Sequence, residues 1–393
     1  MTVNKLTSTA AAPAVGHKPG NWSRRQAIAA MGALATGAPW IARAQSGPIR
    51  VALTVAHSGV EKPNGQGLFQ GAQACFNAIN KAGGIHGRQV ELVLADDEFN
   101  PGKAKENAVK FAADAGVVAL LNPQGTRQTT EVMNAVRQLP IIGPNTGATA
   151  LHKRGAGNVF WVRTNYDVEV ERLVRFADTL NLKKIALVYP NDPFGQSVLD
   201  GFNAALARRN IEAVGVASTP GTASLDVEPA AKALAKMPAQ VLIMSLVGTL
   251  PKFHEAYRAA GGTAISFALS LGGSAPNLAA MAKQPERPIF SVIVPAPNAE
   301  RFELARRYRA DMRGSEFTGE SLVSLEGYAN ARVLAEGMRR AGPKLDRESV
   351  TAGLESMNDF DLGGLRIRYG KDAREGNSYT DIITVAQNGQ IIS

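Results

Sequence analysis

Cysteine is almost absent: the 393 residues contain one, Cys75. No internal disulfide can form, even in an oxidising compartment, so any fold must rest on its apolar core. Cys75 falls in a helical pattern beside Phe76 and Ile79, where a small buried hydrophobe is expected rather than a reactive thiol. Histidine is scarce too. His57, His86, His152 and His254 are dispersed, with no H-E-x-x-H and no C-x-x-C, so no metal centre is expected. The acidic triplet Asp96-Asp97-Glu98 reads as a solvated strand end rather than a Ca²⁺ or Mg²⁺ site. There is no G-x-S-x-G elbow and no G-x-x-x-x-G-K-[ST] loop, which removes the anchors of a serine hydrolase and of an NTPase. Beyond residue 44, no apolar run reaches the roughly 18 residues of a membrane span.

What is present is globular. Hydrophobic residues make up 45% and charged residues 20%, and the length suits two or three domain-sized units. The net charge of +9 hints at nucleic acid until it is apportioned. Residues 1–44 hold Lys5, Lys18, Arg24, Arg25 and Arg43 and no acid, so removing those five leaves only +4 for the remainder. Nucleic acid is therefore not an expected partner. The same segment explains itself as an export signal. It carries Ser23-Arg24-Arg25 with Ile28 following, an apolar span from Ala27 to Ile41, and Ala42-Arg43-Ala44 as a cleavage site. The paired arginines resemble a twin-arginine signal. The span is too short and too rich in Ala and Gly to cross a bilayer stably, and no cysteine stands at its end to carry a lipid. A periplasmic, non-embedded mature protein is expected.

From Ile49, short β-branched runs alternate with longer amphipathic segments. Strands are expected at 49–56, 89–95, 117–121 and 139–143, with helices at 66–82, 103–115 and 128–138. The rhythm restarts with strands at 184–190, 213–218, 240–246, 265–271 and 290–295 and helices at 168–180, 195–209, 226–236 and 250–260. Two successive β/α sets imply an α/β protein with two Rossmann-like lobes built on parallel sheets. Three helical segments then follow without strands, at 300–313, 321–341 and 347–356, before strands return at 365–369 and 380–386. Such a tail suits a chain that crosses back between lobes.

Gly65-Gln66-Gly67-Leu68-Phe69-Gln70-Gly71 follows a strand and enters a helix, the context of a dinucleotide fingerprint. It is one residue too long and sits about nine residues beyond the strand. The plainer reading is that Gly65 and Gly67 let a long loop turn into the helix, leaving residues 57–64, among them Ser58 and Asn64, at the upper rim of the lobe. No cofactor is expected.

In an open α/β sheet, ligands bind beyond the carboxyl ends of the strands. Two neighbouring strand ends carry glycine and small polar residues: Gly125-Thr126 and Asn145-Thr146-Gly147. Each offers backbone N–H groups with a hydroxyl or amide, and a helix entered from such a turn is an anion seat. Together they can hold a carboxylate from two sides. Taken singly, Thr126 is an ordinary helix cap and Gly147 an ordinary turn residue. At the start of the second lobe, Tyr166 and Asp167 precede a helix, Asp167 reading equally well as its N-cap. Phe194-Gly195 faces the rim, where an aromatic can stack on a ligand.

The stretch AINKAGGIHGRQVELVLADDEFNPGKA (78–104) resembles the leucine/isoleucine/valine-binding family of periplasmic proteins. The likeness continues through QGTRQTTE, LPIIGPNTGA, VFWVRTNYDVEVE, IALVYPNDPFGQS, SLEGYANARVL and FDLGGLRI, in order along the mature chain. The resemblance implies a type I periplasmic binding fold, with two lobes joined by three crossover strands near Thr164, Pro295 and Leu362. It implies lobe 1 over 46–164 plus 296–361 and lobe 2 over 165–295 plus 362–393. It further implies that the positions of Gly125, Thr126, Asn145 and Gly147 hold a ligand carboxylate, that the ligand passes to an ABC transporter permease, and that the protein is a monomer without catalysis. The family's second-lobe carboxylate, which faces a ligand ammonium, aligns with Leu271, and a pocket tyrosine aligns near Leu246. Since an ammonium enclosed without a partner is costly, either Asp167 takes over or the ligand has no ammonium. Branched-chain amino acids, aromatic acids and 2-oxo acids all stay open as ligands. A sensory module feeding a receptor, and a nicotinamide-dependent oxidoreductase resting on the 65–71 glycines, are the alternatives.

Overall fold

The computed structural model describes residues 47–155, 157–317 and 319–393, so the expected export segment lies outside the described residues. The first sheet is made of β1 (Ile49–Val55), β2 (Val90–Asp96), β3 (Val117–Leu121), β4 (Ile141–Ile142) and β5 (Val159–Phe160). Its order is β2-β1-β3-β4-β5, parallel throughout. β1 and β3 are buried on both faces, which is why they read as nearly unbroken apolar runs rather than as alternating ones. A second sheet holds β6 (Ile185–Pro190), β7 (Gly215–Thr219), β8 (Val241–Met244), β9 (Ile265–Ala268) and β10 (Ile289–Val292). A small antiparallel pair follows, β11 (Phe360–Asp361) and β12 (Arg366–Ile367). The chain then returns to the second sheet with β13 (Asp381–Val385) and β14 (Ile391–Ile392), giving the order β14-β13-β10-β9-β8-β6-β7. β13 and β14 run antiparallel to their neighbours, so this sheet is mixed.

The first sheet's connections carry α1 (Lys62–Lys81), α2 (Pro101–Ala113), α3 (Thr126–Ala135) and the short α4 (Thr149–His152). The second sheet's carry α5 (Tyr166–Thr179), α6 (Pro193–Ala207), α7 (Glu228–Ala235), α8 (Leu250–Ala259) and α9 (Ala275–Ala282). The strandless tail is α10 (Glu303–Arg313), α11 (Leu322–Ala341) and α12 (Arg347–Glu355). Its apolar residues, Tyr308, Val323, Leu334 and Leu354 among them, share one core with Ile49, Val51 and Phe76, so the tail covers the first sheet. The chain thus passes between the sheets three times, in segments 161–165, 293–302 and 356–380. Caps set several helix starts. Asn100 accepts from the N–H groups of Gly102 and Lys103, Asp192 from Phe194 and Gly195, and Ser321 forms a reciprocal box with Ser324.

Three departures from the sequence reading have physical reasons. Helix α1 begins at Lys62, not 66, because Pro63 suits a first turn, and Gly65 and Gly67 therefore lie inside it. A Cβ on Gly65 would stand 1.9 Å from the Ala56 carbonyl oxygen, and one on Gly71 1.8 Å from that of Ser324. These glycines serve close backbone packing on β1 and α11, so no phosphate cradle forms there and the dinucleotide reading loses its support. The run 265–271 is strand only to Ala268 and then turns through a 3₁₀ segment, Ser270–Gly272. Asp97 is fully buried rather than solvated, accepting from the Thr54 hydroxyl and the Phe99 N–H, and burial pushes its carboxyl up to about 6. Cys75 is buried as expected, its thiol pushed up to about 12 by loss of solvent.

Candidate functional site

A cavity of about 310 Å³ lies beyond the carboxyl ends of strands from both sheets. That is the small end of the range for ligand pockets, about 300–1,000 Å³. Phe99, Pro101, Phe194, Pro220, Val247 and Leu271 supply apolar walls. The first sheet's polar lining is Glu61, Asn64, Gln124, Thr126, Arg127, Gln128 and Asn145; the second adds Asn191, Asp192, Thr222 and Ser224.

The start of α3 faces this space. Gly125 precedes it at φ +89°, a conformation that favours glycine, and offers no side chain to cap the first turn. The helix therefore presents its opening N–H groups and dipole with Thr126, Arg127 and Gln128, all of which line the cavity. A Cβ on Gly125 would lie 2.5 Å from Gln128 Oε1 and 2.8 Å from the Phe99 ring.

The neighbouring turn behaves differently. The Thr146 hydroxyl lies 2.7 Å from that of Thr126 and also accepts from Ala148 N and, at 3.4 Å, from the Tyr166 hydroxyl. Gly147 abuts the Tyr166 ring, which a Cβ would meet at 2.9 Å. Neither Thr146 nor Gly147 is among the residues lining the cavity. Asn145 does line it, but its amide donates to Glu326 Oε2 at 3.0 Å. Glu326 also pairs with Arg163 at 3.3 Å, and Arg163 with Glu169 at 2.9 Å. Glu169 in turn accepts from Ser270 N and the Ser291 hydroxyl. This buried trio joins a helix packed on the first sheet to one on the second, directly behind the cavity wall. Of the two turns expected to hold a carboxylate together, the first presents free N–H groups to the cavity and the second is filled by the protein's own groups.

Of the other expected residues, Asn64, Tyr166, Phe194 and Leu271 line the cavity. Burial pushes the Tyr166 phenol up to about 12, and its ring lies 5.1 Å from that of Phe194. Ser58 turns away to bond Asp96, and Leu246 is buried in the second sheet's core. Asp167 lines a different pocket and approaches Gly201 of α6, while Asn165 supplies the cap of α5, so Asp167 is neither that cap nor a substitute carboxylate in the cavity.

Sequence reasoning missed Glu61. It is 1% exposed, and its Oε1 accepts from Gly248 N at 3.0 Å, while Oε2 is buried without a partner. Burial pushes the carboxyl up to about 8, against the pull of that N–H and helped slightly by Asp192. One helical turn on, Asn64 donates from Nδ2 to the Leu271 carbonyl at 3.1 Å and leaves Oδ1 buried and unpartnered. Gln124 braces the pair, accepting from Ala56 N and donating to the Glu61 carbonyl. A carboxylate between Gly59 and Pro63, at the entry to α1, was the available signal, but its partner Gly248 is 187 residues distant.

A family model described as periplasmic binding protein matches residues 48–390. The chain belongs to the periplasmic binding protein family. It is 24% identical over 327 residues to the Leu/Ile/Val-binding protein BraC3 of Rhizobium johnstonii, covering 82% of this chain and 88% of that one. Among solved structures, a substrate-binding periplasmic protein from Ralstonia solanacearum superposes with a TM-score of 0.80 at 27% identity, covering 88% of this chain and 99% of its own. An extracellular ligand-binding receptor from Verminephrobacter eiseniae gives 0.76 at 25%, covering 88% and 100%. Family membership places this chain among substrate-binding proteins. Among the described residues no helix is long and apolar enough to cross a membrane.

Proposed function

We propose that this protein captures a small carboxylate-bearing solute in the cavity between its two sheets and delivers it to the permease of an ABC importer. The single observation that carries this reading is the uncapped start of α3, aimed with Thr126 and Arg127 into a cavity walled by both sheets. Such a helix start attracts an anion through its free N–H groups and dipole. The Leu/Ile/Val-binding name of the Rhizobium relative supports an amino acid or a similarly sized acid as the solute. Micromolar affinity requires only about 8 kcal/mol, which a few hydrogen bonds to a carboxylate plus apolar burial supply.

The same reading takes lobe 1 as 46–164 plus 296–361 and lobe 2 as 165–295 plus 362–393. It takes residues 1–44 as the export signal, the periplasm as the working compartment and a monomer as the working form. A calorimetric screen of amino acids, aromatic acids and 2-oxo acids against the purified protein tests it. Binding of one class at micromolar concentration is the expected result; indifference to all carboxylates would remove the proposal.

A further inference from the structure

The proposed function seats a carboxylate at the start of α3; another part of the cavity lining has chemistry of its own. Glu61 and Asn64 are 1% and 2% exposed, stand one helical turn apart at the start of α1, and both line the cavity. Each spends one atom on the second sheet's loops, Glu61 Oε1 on Gly248 N and Asn64 Nδ2 on the Leu271 carbonyl. Each is left with one buried oxygen, Oε2 and Oδ1, without a partner. The Nδ2 bond fixes the amide orientation, so Asn64 Oδ1 is an acceptor. Asn64 Oδ1 can only accept, and Glu61 Oε2 becomes a second acceptor once the carboxyl ionises; two such buried oxygens are costly unless a donor arrives.

We propose that Glu61 and Asn64 form a subsite on the first lobe that receives the ammonium of an α-amino acid whose carboxylate sits at the start of α3. The inference rests on the carboxylate-capture reading and specifies its ligand class. An ammonium carries three N–H donors and no acceptor, which matches Asn64 Oδ1 together with the ionised Glu61 Oε2, two oxygens to which no protein group donates. Leu271, an apolar side chain, cannot meet it. Asp192, the other carboxylate lining the cavity, is fully engaged: Oδ1 accepts from Phe194 N and Gly195 N, and Oδ2 from the N–H and hydroxyl of Thr222. Arg127 lines the cavity from the α3 side, with the seat for the acid end. The groups facing Glu61 are thus the Gly248 N–H, which bonds it, Asp192, whose charge opposes its ionisation, and the ligand.

Proton linkage follows. With no ligand, the buried Glu61 carboxyl holds its proton to about pH 8. An ammonium alongside stabilises the carboxylate, so binding near neutral pH expels that proton to solvent. Affinity for amino acids then rises with pH from 6 to 8, by up to about tenfold per unit for one proton released. A ligand lacking the ammonium releases none.

The test is calorimetry of neutral L-α-amino acids and of their des-amino counterparts at pH 6, 7 and 8, each in two buffers of different ionisation heat. Expected are amino-acid binding that strengthens with pH, release of close to one proton at pH 6 and 7 and of about half a proton at pH 8, and weaker binding of the des-amino acids. Glu61→Gln should cost amino acids at least about tenfold in affinity, in line with loss of a hydrogen bond to a charged group, and abolish the proton release. Asn64→Leu should weaken amino acids while leaving proton release in place. Should Glu61→Gln fail to fold, the proton count on the unaltered protein still decides. Preference for des-amino acids, or amino-acid binding without proton release, overturns the ammonium subsite and leaves carboxylate capture standing. Binding of neither class overturns both.

Discussion

The turns after β3 and β4 end adjacent parallel strands and look alike in sequence, each pairing a glycine with a threonine. Only the first turns free polar groups to the cavity; of the second, Asn145 alone lines it. Gly125-Thr126 opens a helix whose first N–H groups have no side-chain cap, whereas Asn145-Thr146-Gly147 is consumed by Thr126, Tyr166 and Glu326. The difference teaches that hydroxyl-rich strand ends supply either a binding surface or the scaffold beneath one. What decides is which polar atoms the rest of the fold has already satisfied.

The strongest way to break the comparison is to remove what holds the filled turn. Arg163 is fully buried between Glu169 and Glu326, and Glu326 anchors Asn145. Arg163→Met would leave two buried carboxylates without their cation, a loss of about 3–5 kcal/mol in unfolding free energy. Urea denaturation measures it. A loss below about 1 kcal/mol would mean that the trio is loosely hydrated and does not stiffen the second turn.

A second test sets the satisfied carboxylates of that trio against the unsatisfied one in the cavity. In the ligand-free protein, Glu61 is raised from 4.5 to about 8, so the folded state holds this proton more tightly than the unfolded chain. The contribution is complete below about pH 4.5 and is lost as pH rises to about 8, at up to about 1.4 kcal/mol per pH unit. Asp97, raised to about 6, acts in the same direction but only below that pH. His254 is lowered to about 4 by burial and then by Arg258, so stability gained with pH through its neutral form is complete by about 6.5. Between pH 6.5 and 8 Glu61 is joined by Glu326, whose carboxyl burial also raises, and the melting temperature should fall across this interval. Glu61→Gln should make the profile shallower, and a flat profile in the unaltered protein would show that the carboxyl is solvated.

These contrasts mark how far the sequence could be read. β3 falls at 117–121 as expected, and most helices begin within two or three residues of their expected starts, because apolar periodicity and caps are local signals. Helix α9 was missed because Ala275–Ala282 is rich in Ala and offers no clear polar face. Of the residues lining the cavity, Thr126, Asn145, Tyr166 and Phe194 were legible as strand ends and helix starts, Asn64 as part of a rim loop, and Leu271 through the family resemblance. The filling of Thr146 and the bond from Gly248 to Glu61 depend on residues far apart in the chain, which no local pattern carries. Ser58, Asp167 and Leu246 share that cause: each lies at the expected place in sequence, with its side chain committed elsewhere.

The smallest effect gives the finest test of the two turns. Thr126 and Thr146 share a hydrogen bond, so removing either hydroxyl disturbs the other, yet only Thr126 lines the cavity. Thr126→Ala should weaken carboxylate binding by about tenfold, the worth of one hydrogen bond to a charged group. Thr146→Val keeps the shape and removes the bonds to Thr126, Ala148 and Tyr166. It should lower stability by about 1 kcal/mol, a melting-point drop of roughly 2–4 °C for a domain of 150–250 residues, with affinity changed less than about threefold. Paired calorimetry and thermal melts separate the outcomes. Equal losses of affinity would mean that the second turn touches ligand after all, and that the hydrogen bond between the threonines gives way when the acid binds.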